Sequence, residues 1–273
     1  MATPLSLNVF QWLMKLAQAY NQVLPDGRWA LPDLILCYHD IGFDAWEFTV
    51  RPRDFARQIS LLKEKFQVVG LPELLSAPGR AGLPRVAITF DDGYLGVYRY
   101  AFPILKKHHI TAATFITSGH SLNPKTPLPG KFLSTGQIKS LSRSGWQVGY
   151  HSHSHPDLTK LSTRALSQEL NLHKIRLENR LGLKFTHFAF PYGAYNLSTL
   201  DAAFASGWPY LFTVDGGPAF TSQTPHLFHR VTISRLITVP LFATLLTPAG
   251  ITLNHLFTRV LRAKDRLFSR ASV

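Results

Sequence analysis

Short apolar runs alternate with amphipathic segments along most of the chain, and this alternation limits the possible folds more than any other feature. The runs with the composition of buried strands are residues 34–38, 86–90, 111–117, 146–150, 187–190, 210–214 and 230–233. Helical periodicity is found between them, over residues 53–65, 98–108, 135–144, 163–181 and 198–206. The alternation predicts an α/β protein with a mainly parallel sheet, which is either open or closed into a barrel.

Length and composition favour one globular domain. The chain has 273 residues, of which 45% are hydrophobic and 16% charged, and no repeat or low-complexity tract divides it. We therefore predict a domain over residues 31–235, with one helical appendage at 1–30 and another at 236–273. The single cysteine, Cys37, excludes an intrachain disulfide. Cys37 lies in a strand-like run, which favours a buried, inert thiol over a thiol nucleophile.

The charge balance is strongly basic. Lys and Arg outnumber Asp and Glu by 29 to 16, and the formal net charge is +13. This excess favours an anionic surface, polymer or solute as a partner. The chain has no zinc-finger, RNP or helix-turn-helix signature, so we predict no nucleic-acid partner.

Both ends of the chain have the composition of membrane-surface helices. Near the N-terminus, Val9, Leu13, Leu16 and Tyr20 recur at helical spacing, and no secretory signal is visible. Residues 236–258 have no charged side chain, but prolines and polar residues favour a loop and helix over a membrane span. The basic residues that follow are Arg259, Arg262, Lys264, Arg266 and Arg270. The alternatives are contact with an anionic membrane, on its cytoplasmic face, and helices docked on the domain.

Two adjacent carboxylates stand where the run 86–90 meets Gly93. Asp91 and Asp92 are thus placed at the carboxyl end of a strand, where α/β folds bind ligands. Neighbouring side chains leave a strand in opposite directions, so one carboxylate would hold a metal and the other a proton. The alternative is a helix N-cap or an Asp-Gly turn.

Three histidines lie within five residues after the run 146–150. His151 and His155, four residues apart, can meet on one face of a turn, a spacing that suits Zn²⁺ or a related divalent ion. With a carboxylate from Asp91 or Asp92 they predict a site of two histidines and one aspartate, with open positions for water and substrate. The alternative is a polar surface loop.

Two further strand ends carry polar candidates. Pro191 and Tyr192 follow the run 187–190. A turn at this position directs a backbone N–H and an aromatic ring toward the carboxyl ends of the strands. That N–H would be half of an oxyanion hole. His39 follows the first strand, and by itself such a histidine is more often structural.

Together these motifs make the chain resemble polysaccharide deacetylases with the NodB-homology domain, carbohydrate esterase family 4. Residues 89–93, Thr-Phe-Asp-Asp-Gly, match the first family motif, and residues 151–155 match its His-Ser/Thr-x-x-His motif. Residues 190–193 resemble the third motif. The resemblance implies a distorted, incomplete (β/α) barrel and the metal-assisted removal of N-acetyl, or sometimes O-acetyl, groups from sugar polymers.

The resemblance also assigns roles by position. Asp91 becomes the general base, and Asp92, His151 and His155 become the ligands of a divalent metal, Zn²⁺ first, with Co²⁺ or Ni²⁺ as alternatives. Tyr192 is predicted to be catalytic through its backbone N–H. The residues that we predict to bind the substrate are Tyr94, Pro191, Tyr195 and Arg230.

Two departures from the common family pattern point to a subgroup. Ala189 occupies the position of the usual arginine that orients the base, and no late Leu-x-x-His segment is found. Both departures resemble the biofilm poly-N-acetylglucosamine deacetylases, in which the acid histidine follows an early tyrosine, as His39 follows Tyr38. Arg230 is a candidate replacement for the missing arginine.

The predicted function is therefore metal-dependent N-deacetylation of a poly-N-acetylglucosamine-like or other cell-envelope glycan, as in exopolysaccharide biosynthesis. Two alternatives stay open. One is a hydrolase of small amides or imides with the same fold, and the other is a catalytically silent carbohydrate-binding protein. The presence of Asp91, Asp92, His151 and His155 argues against the silent protein.

Overall fold

The computed structural model describes residues 4–23, 31–76, 82–122, 131–220 and 224–270. The strands are β1 (Leu34–Tyr38), β2 (Asp40–Ile41), β3 (Thr49–Val50), β4 (Gln67–Val68), β5 (Arg85–Phe90), β6 (Ala113–Ile116), β7 (Gln147–Tyr150), β8 (His187–Ala189), β9 (Tyr210–Phe212), β10 (Leu227–Phe228) and β11 (Val231–Thr232). The α-helices are α1 (Pro4–Val23), α2 (Pro52–Lys65), α3 (Leu71–Ser76), α4 (Phe102–Lys107), α5 (Ser118–Leu122), α6 (Thr135–Arg143), α7 (Thr163–Ser167), α8 (His173–Leu181), α9 (Leu197–Ala205), α10 (Val239–Leu245) and α11 (Pro248–Arg270).

Nine of the strands form one parallel sheet, which confirms the predicted α/β class. Its order is β10-β9-β8-β7-β6-β5-β1-β11, and β4 pairs with the first half of β5 while β6 pairs with the second half. The outermost strands, β10 and β11, are separated in the chain by only His229 and Arg230. The sheet must therefore curl until its edges approach each other, which gives the predicted incomplete barrel.

Side-chain alternation on these strands creates two apolar cores. On β5, Val86, Ile88 and Phe90 belong to the large core that also includes the helices, whereas Ala87 belongs to a smaller core inside the curled sheet. The smaller core consists of Ile35, Val69, Leu71, Leu74, Ala87, Ala113, Phe115, Ala189, Phe212, Ala219 and Phe228. Because residues two apart share a face, Asp91 continues the inward-facing series of Ala87 and Thr89.

The predicted helices form, with irregularities that periodicity did not reveal. The helix predicted over residues 163–181 consists of α7, a π-helical stretch at Gln168–Leu172, and α8. A second π-helical stretch, Val97–Ala101, precedes α4. The strands predicted at residues 111–117, 210–214 and 230–233 are shorter than expected, and β2, β3, β4, β10, α3 and α5 were not predicted.

The terminal helices pack against each other. Phe10 of α1 meets Phe257 of α11 with ring centroids 5.6 Å apart, and Met14 and Phe242 are fully buried. In the described part of the chain, no single helix has the length and apolar character to cross a bilayer. The α10 helix and residues Pro248–Leu261 of α11 meet that criterion only jointly, and they are bent by 92°.

Candidate active site

The carboxyl ends of neighbouring parallel strands bring most of the predicted site residues together. Asp91 follows β5, His151 follows β7, and His39 follows β1. In a parallel sheet these ends lie on one edge, where open α/β folds bind their ligands. Loops after the same strands add Asp92 and His155.

Three of these side chains converge on one point. The Nε2 atoms of His151 and His155 are 3.2 Å apart, and they lie 3.5 and 3.3 Å from Oδ1 of Asp92. A tetrahedral ion with bonds of 2.0–2.1 Å has ligand atoms about 3.3 Å apart. Oδ1 of Asp92 is buried and has no hydrogen-bond partner among the described residues. These three residues therefore fit a divalent ion such as Zn²⁺.

The protonation states also suit a cation. Nδ1 of His151 lies 2.8 Å from the carbonyl oxygen of Ala189, a contact that assigns the proton to Nδ1 and leaves the Nε2 lone pair for a metal. Burial lowers the pKa of His151 to about 3, so this imidazole is neutral. Burial also raises the pKa of Asp92 to about 6, because a buried carboxylate needs a nearby positive charge to stay ionised.

Left-handed backbone conformations concentrate at the site. Asp92, Ser152, His155 and Tyr192 all have positive φ, between 57° and 66°. Such conformations cost non-glycine residues about 1–3 kcal/mol each, and they persist where the surrounding structure enforces them.

The two adjacent carboxylates do not point in opposite directions. Strand alternation predicted that they would, but the chain leaves β5 before Asp92. Both Asp91 and Asp92 face the same imidazole, with oxygens 3.8 and 3.5 Å from Nε2 of His151.

A buried arginine holds Asp91. Nη1 and Nη2 of Arg230 each donate to one oxygen of Asp91, both at 2.7 Å, and Nε donates to the carbonyl of Thr213 at 3.1 Å. Burial alone would raise the pKa of Asp91, but the Arg230 guanidinium outweighs it and holds this pKa well below its ordinary range. Arg230 is completely buried. It therefore lies behind Asp91, where an orienting partner is needed, and has no access to the substrate cleft.

The thiol of Cys37 touches the same carboxylate. Its Sγ lies 3.3 Å from Oδ2 of Asp91, and burial raises the thiol pKa well above its ordinary value. Ligand atoms of Cys37, His39 and Asp91 lie within 4.8 Å of one another. The guanidinium already paired with both oxygens of Asp91 makes this second group a poor site for a cation.

His39 packs against aromatic side chains. Its ring lies 4.8 Å from that of Phe48 and 5.9 Å from that of Trp46, and its Nδ1 has no hydrogen-bond partner among the described residues. Burial lowers the pKa of His39, whereas the charges of Asp92 and Asp91 oppose that shift.

The other predicted site residues have different surroundings. Tyr192 is 66% exposed and its ring lies 4.6 Å from the His155 ring, while Pro191 beside it is buried. Tyr94 is half-buried, with its ring 5.0 Å from Trp46. The hydroxyl of Tyr195 donates to Asp215 at 3.0 Å.

Sequence reasoning missed two contacts of the site. The contact between Cys37 and Asp91 had a signal in the sequence, because Cys37 shares the inward face of β1 with Ile35. The contact of Glu169 with the backbone N–H groups of His153 and Ser154 had no such signal, because Glu169 lies in a helix that was predicted only from its apolar face.

Comparisons with known proteins find similarity to polysaccharide deacetylases. The family model described as polysaccharide deacetylase matches residues 79–211. The poly-beta-1,6-N-acetyl-D-glucosamine N-deacetylase of Staphylococcus aureus strain MRSA252 is 26% identical over 199 residues, which are 68% of this chain and 68% of that protein. The chain contains a polysaccharide deacetylase domain of the NodB type.

Solved structures resemble this chain over most of its length. IcaB from Ammonifex degensii has a TM-score of 0.68 and 27% identity, covering 80% of this chain and 97% of that one. The deacetylase PplD of Streptococcus pyogenes, solved with acetate, has a TM-score of 0.70 and 24% identity, covering 81% and 100%. The homologues of this chain are thus polysaccharide deacetylases, hydrolases of carbohydrate esterase family 4, in agreement with the motifs.

Proposed function

We propose that this protein is a metal-dependent hydrolase that removes N-acetyl groups from a poly-N-acetylglucosamine-like or other cell-envelope glycan. The observation that carries the proposal is the arrangement at the carboxyl ends of the strands. The Asp91 carboxylate is held ionised by the buried Arg230, and three converging metal ligands lie next to it. The similarity to a poly-N-acetylglucosamine deacetylase supports the substrate class.

Asp92, His151 and His155 would hold the divalent ion, for which their donor set favours Zn²⁺ over harder cations. When bound, such an ion polarises an acetyl carbonyl and lowers the pKa of a coordinated water. Asp91 accepts the proton of the attacking water. Arg230 keeps the Asp91 carboxylate charged and fixes its orientation through two parallel hydrogen bonds.

Two further groups complete the reaction. The backbone N–H of Tyr192 donates to the tetrahedral oxyanion, a type of contact that contributes about 3 kcal/mol in other hydrolases. His39 delivers a proton to the leaving amine, which leaves poorly without it. Because burial lowers the pKa of His39, the carboxylates of Asp91 and Asp92 are needed for His39 to acquire that proton.

Metal content tests the proposal most directly. We expect the purified protein to bind one equivalent of a divalent ion and to release acetate from N-acetylglucosamine oligomers. His151→Ala should lose both properties, while His226→Ala, at an exposed histidine, should retain both. A wild-type protein without stoichiometric metal would favour the silent carbohydrate-binding protein. Hydrolysis of small imides in place of the oligomers would favour the small-molecule hydrolase.

The role of His39 has a separate kinetic test. Loss of a general acid costs about 10²- to 10⁴-fold in rate, so His39→Ala should lower kcat by that factor with KM and metal content unchanged. Full turnover by the metal-loaded variant would refute the assignment of His39 as the acid.

We further propose that the terminal helices contact an anionic membrane. Val9, Trp12 and Leu16 form an exposed apolar stripe on α1, and Leu256 and Val260 form one on α11.

A further inference from the structure

The segment from His151 to His155 supplies two of the three proposed metal ligands, and we call it the histidine loop. Its two ligands are held differently. His151 continues the β7 ladder, with its N–H donating to the carbonyl of Ile116 at 2.9 Å, and its ring is fixed by Ala189. For His155, the backbone takes a left-handed conformation at Ser152 and again at His155 itself. The position of His155 therefore depends on what holds the backbone between these two residues.

Two sets of hydrogen bonds hold that backbone. The N–H groups of Ser118 and Gly119 donate to its carbonyls, at Ser152 (3.0 Å) and His153 (2.9 Å), and one carboxylate binds its N–H groups. Oε2 of Glu169 accepts hydrogen bonds from the N–H groups of His153 at 2.6 Å and Ser154 at 3.1 Å, and Oε1 accepts from the Ser154 hydroxyl at 2.7 Å. Only 9% of Glu169 is exposed, and none of the described residues forms an ion pair with it. Hydrogen bonds from N–H groups to a buried carboxylate of this kind are short and strong.

Glu169 comes from an irregular part of its helix. It lies in the π-helical stretch Gln168–Leu172, between α7 and α8. Single-turn π-helical stretches are rare, and they occur frequently at functional sites. The ring of His173, the first residue of α8, stacks on that of His153 at 3.7 Å, so this helix touches the histidine loop at a second point.

We propose that Glu169 is a positioning residue for the metal site, because it fixes the histidine loop in the conformation that presents His155. This inference rests on the proposed metal-dependent function and deepens it. Without the three bonds, only the carbonyls of the loop stay bound, to the N–H groups of Ser118 and Gly119. His155 is then held less firmly at its position 3.3 Å from Oδ1 of Asp92 before metal binding. Groups that orient metal ligands from behind typically contribute 10- to 100-fold to metal affinity.

Two substitutions separate the hydrogen bonds from the charge. Glu169→Ala removes all three bonds. Glu169→Gln retains the pattern, because the amide oxygen accepts from the two backbone N–H groups and the amide NH₂ donates to the Ser154 hydroxyl. We expect Glu169→Ala to weaken Zn²⁺ or Co²⁺ binding by about 10- to 100-fold and Glu169→Gln to restore most of the affinity.

Glu178 provides a matched control. It is a buried carboxylate on α8 that accepts the Phe185 N–H at 2.7 Å, and it has no contact with the histidine loop. Glu178→Ala should therefore destabilise the apoprotein as Glu169→Ala does, yet leave metal affinity unchanged.

The measurement is competition of each apoprotein with a chromophoric chelator for Zn²⁺, together with thermal unfolding of the apoproteins. If Glu169→Ala does not fold, Ser154→Ala removes one of the three bonds and should weaken binding by a smaller factor. Unchanged affinity in the variants of a metal-binding wild type would overturn the role of Glu169 alone, as would an equal loss in Glu178→Ala. Absence of metal from the wild type would overturn the proposed function and this inference together.

Discussion

The contact between Asp91 and Arg230 sets the charge of the proposed base. Arg230 counteracts the burial of Asp91, so the carboxylate stays ionised far below neutral pH. Arg230→Lys keeps a positive charge but loses the parallel pair of hydrogen bonds. We expect kcat to fall by about tenfold or more, because the carboxylate of Asp91 is no longer fixed in its orientation. Acetate release by the wild type and the variant tests this, and an unchanged kcat in Arg230→Lys would show that the paired hydrogen bonds do not orient the base.

Arg230→Gln is the harsher variant of the same test. It leaves the Asp91 carboxylate buried without a cation, which typically costs about 3–5 kcal/mol of stability. Its effect on folding therefore has to be measured before its activity, whereas Arg230→Lys separates orientation from stability.

Cys37 combines burial with contact to a negative charge. Burial is the largest cause that raises its thiol pKa, and the Asp91 carboxylate adds to it, so the reactive thiolate is suppressed. We expect no alkylation of the native protein at pH 8 and one equivalent of alkylation after unfolding in guanidinium. Rapid labelling of the native protein would instead support Cys37 as a thiol nucleophile, the alternative that the sequence alone left open.

Helix α11 is connected to the base through one loop. His255 Nδ1 lies 3.1 Å from the carbonyls of Asp215 and Gly216, and the Gly216 N–H donates to the carbonyl of Arg230 at 3.0 Å. Gly216 has φ +67°, and a Cβ there would lie 2.6 Å from Nδ2 of Asn254. The loop is thus fitted closely between α11 and the arginine that orients Asp91.

Disturbing this helix contact should affect catalysis at a distance. We expect His255→Ala to lower kcat by about tenfold through misplacement of Arg230, with metal content unchanged. Leu256→Ala, at the exposed neighbouring position, is the control and should behave as the wild type. Equal activity of the two variants would show that α11 has no part in positioning the base.

Elements with a clear pattern were predictable from the sequence, and contacts between elements were not. The strands β1, β5, β7 and β8 have apolar runs of sufficient length, so their polar ends could be located. The two-residue strands β2, β3, β4 and β10 are too short for any periodicity to register. The contact of Glu169 depends on which loop its helix packs against, information that spacing along one chain does not contain. The inward position of Cys37 on β1, in contrast, follows from strand alternation.

The whole molecule combines a net charge of +13 with apolar stripes on its terminal helices. Val9, Trp12 and Leu16 of α1 are 42%, 60% and 44% exposed, and Val260 of α11 is 66% exposed. The sequence from Arg259 onward adds five basic residues, Arg259, Arg262, Lys264, Arg266 and Arg270. Exposed aromatic and aliphatic residues beside arginines and lysines are typical of helices that lie on anionic bilayers.

Vesicle binding tests this surface without disturbing the domain. Each basic residue near an anionic membrane contributes about 1 kcal/mol, so the protein should sediment with phosphatidylglycerol vesicles, much less with phosphatidylcholine vesicles, and be released by high salt. Because Trp12 and Val260 are exposed, Trp12→Ser with Val260→Ser should weaken binding without unfolding the protein. Phe43→Ser, at a 72% exposed ring elsewhere, is the control and should bind as the wild type does. Full recovery of the protein in the supernatant at low salt would refute the membrane contact.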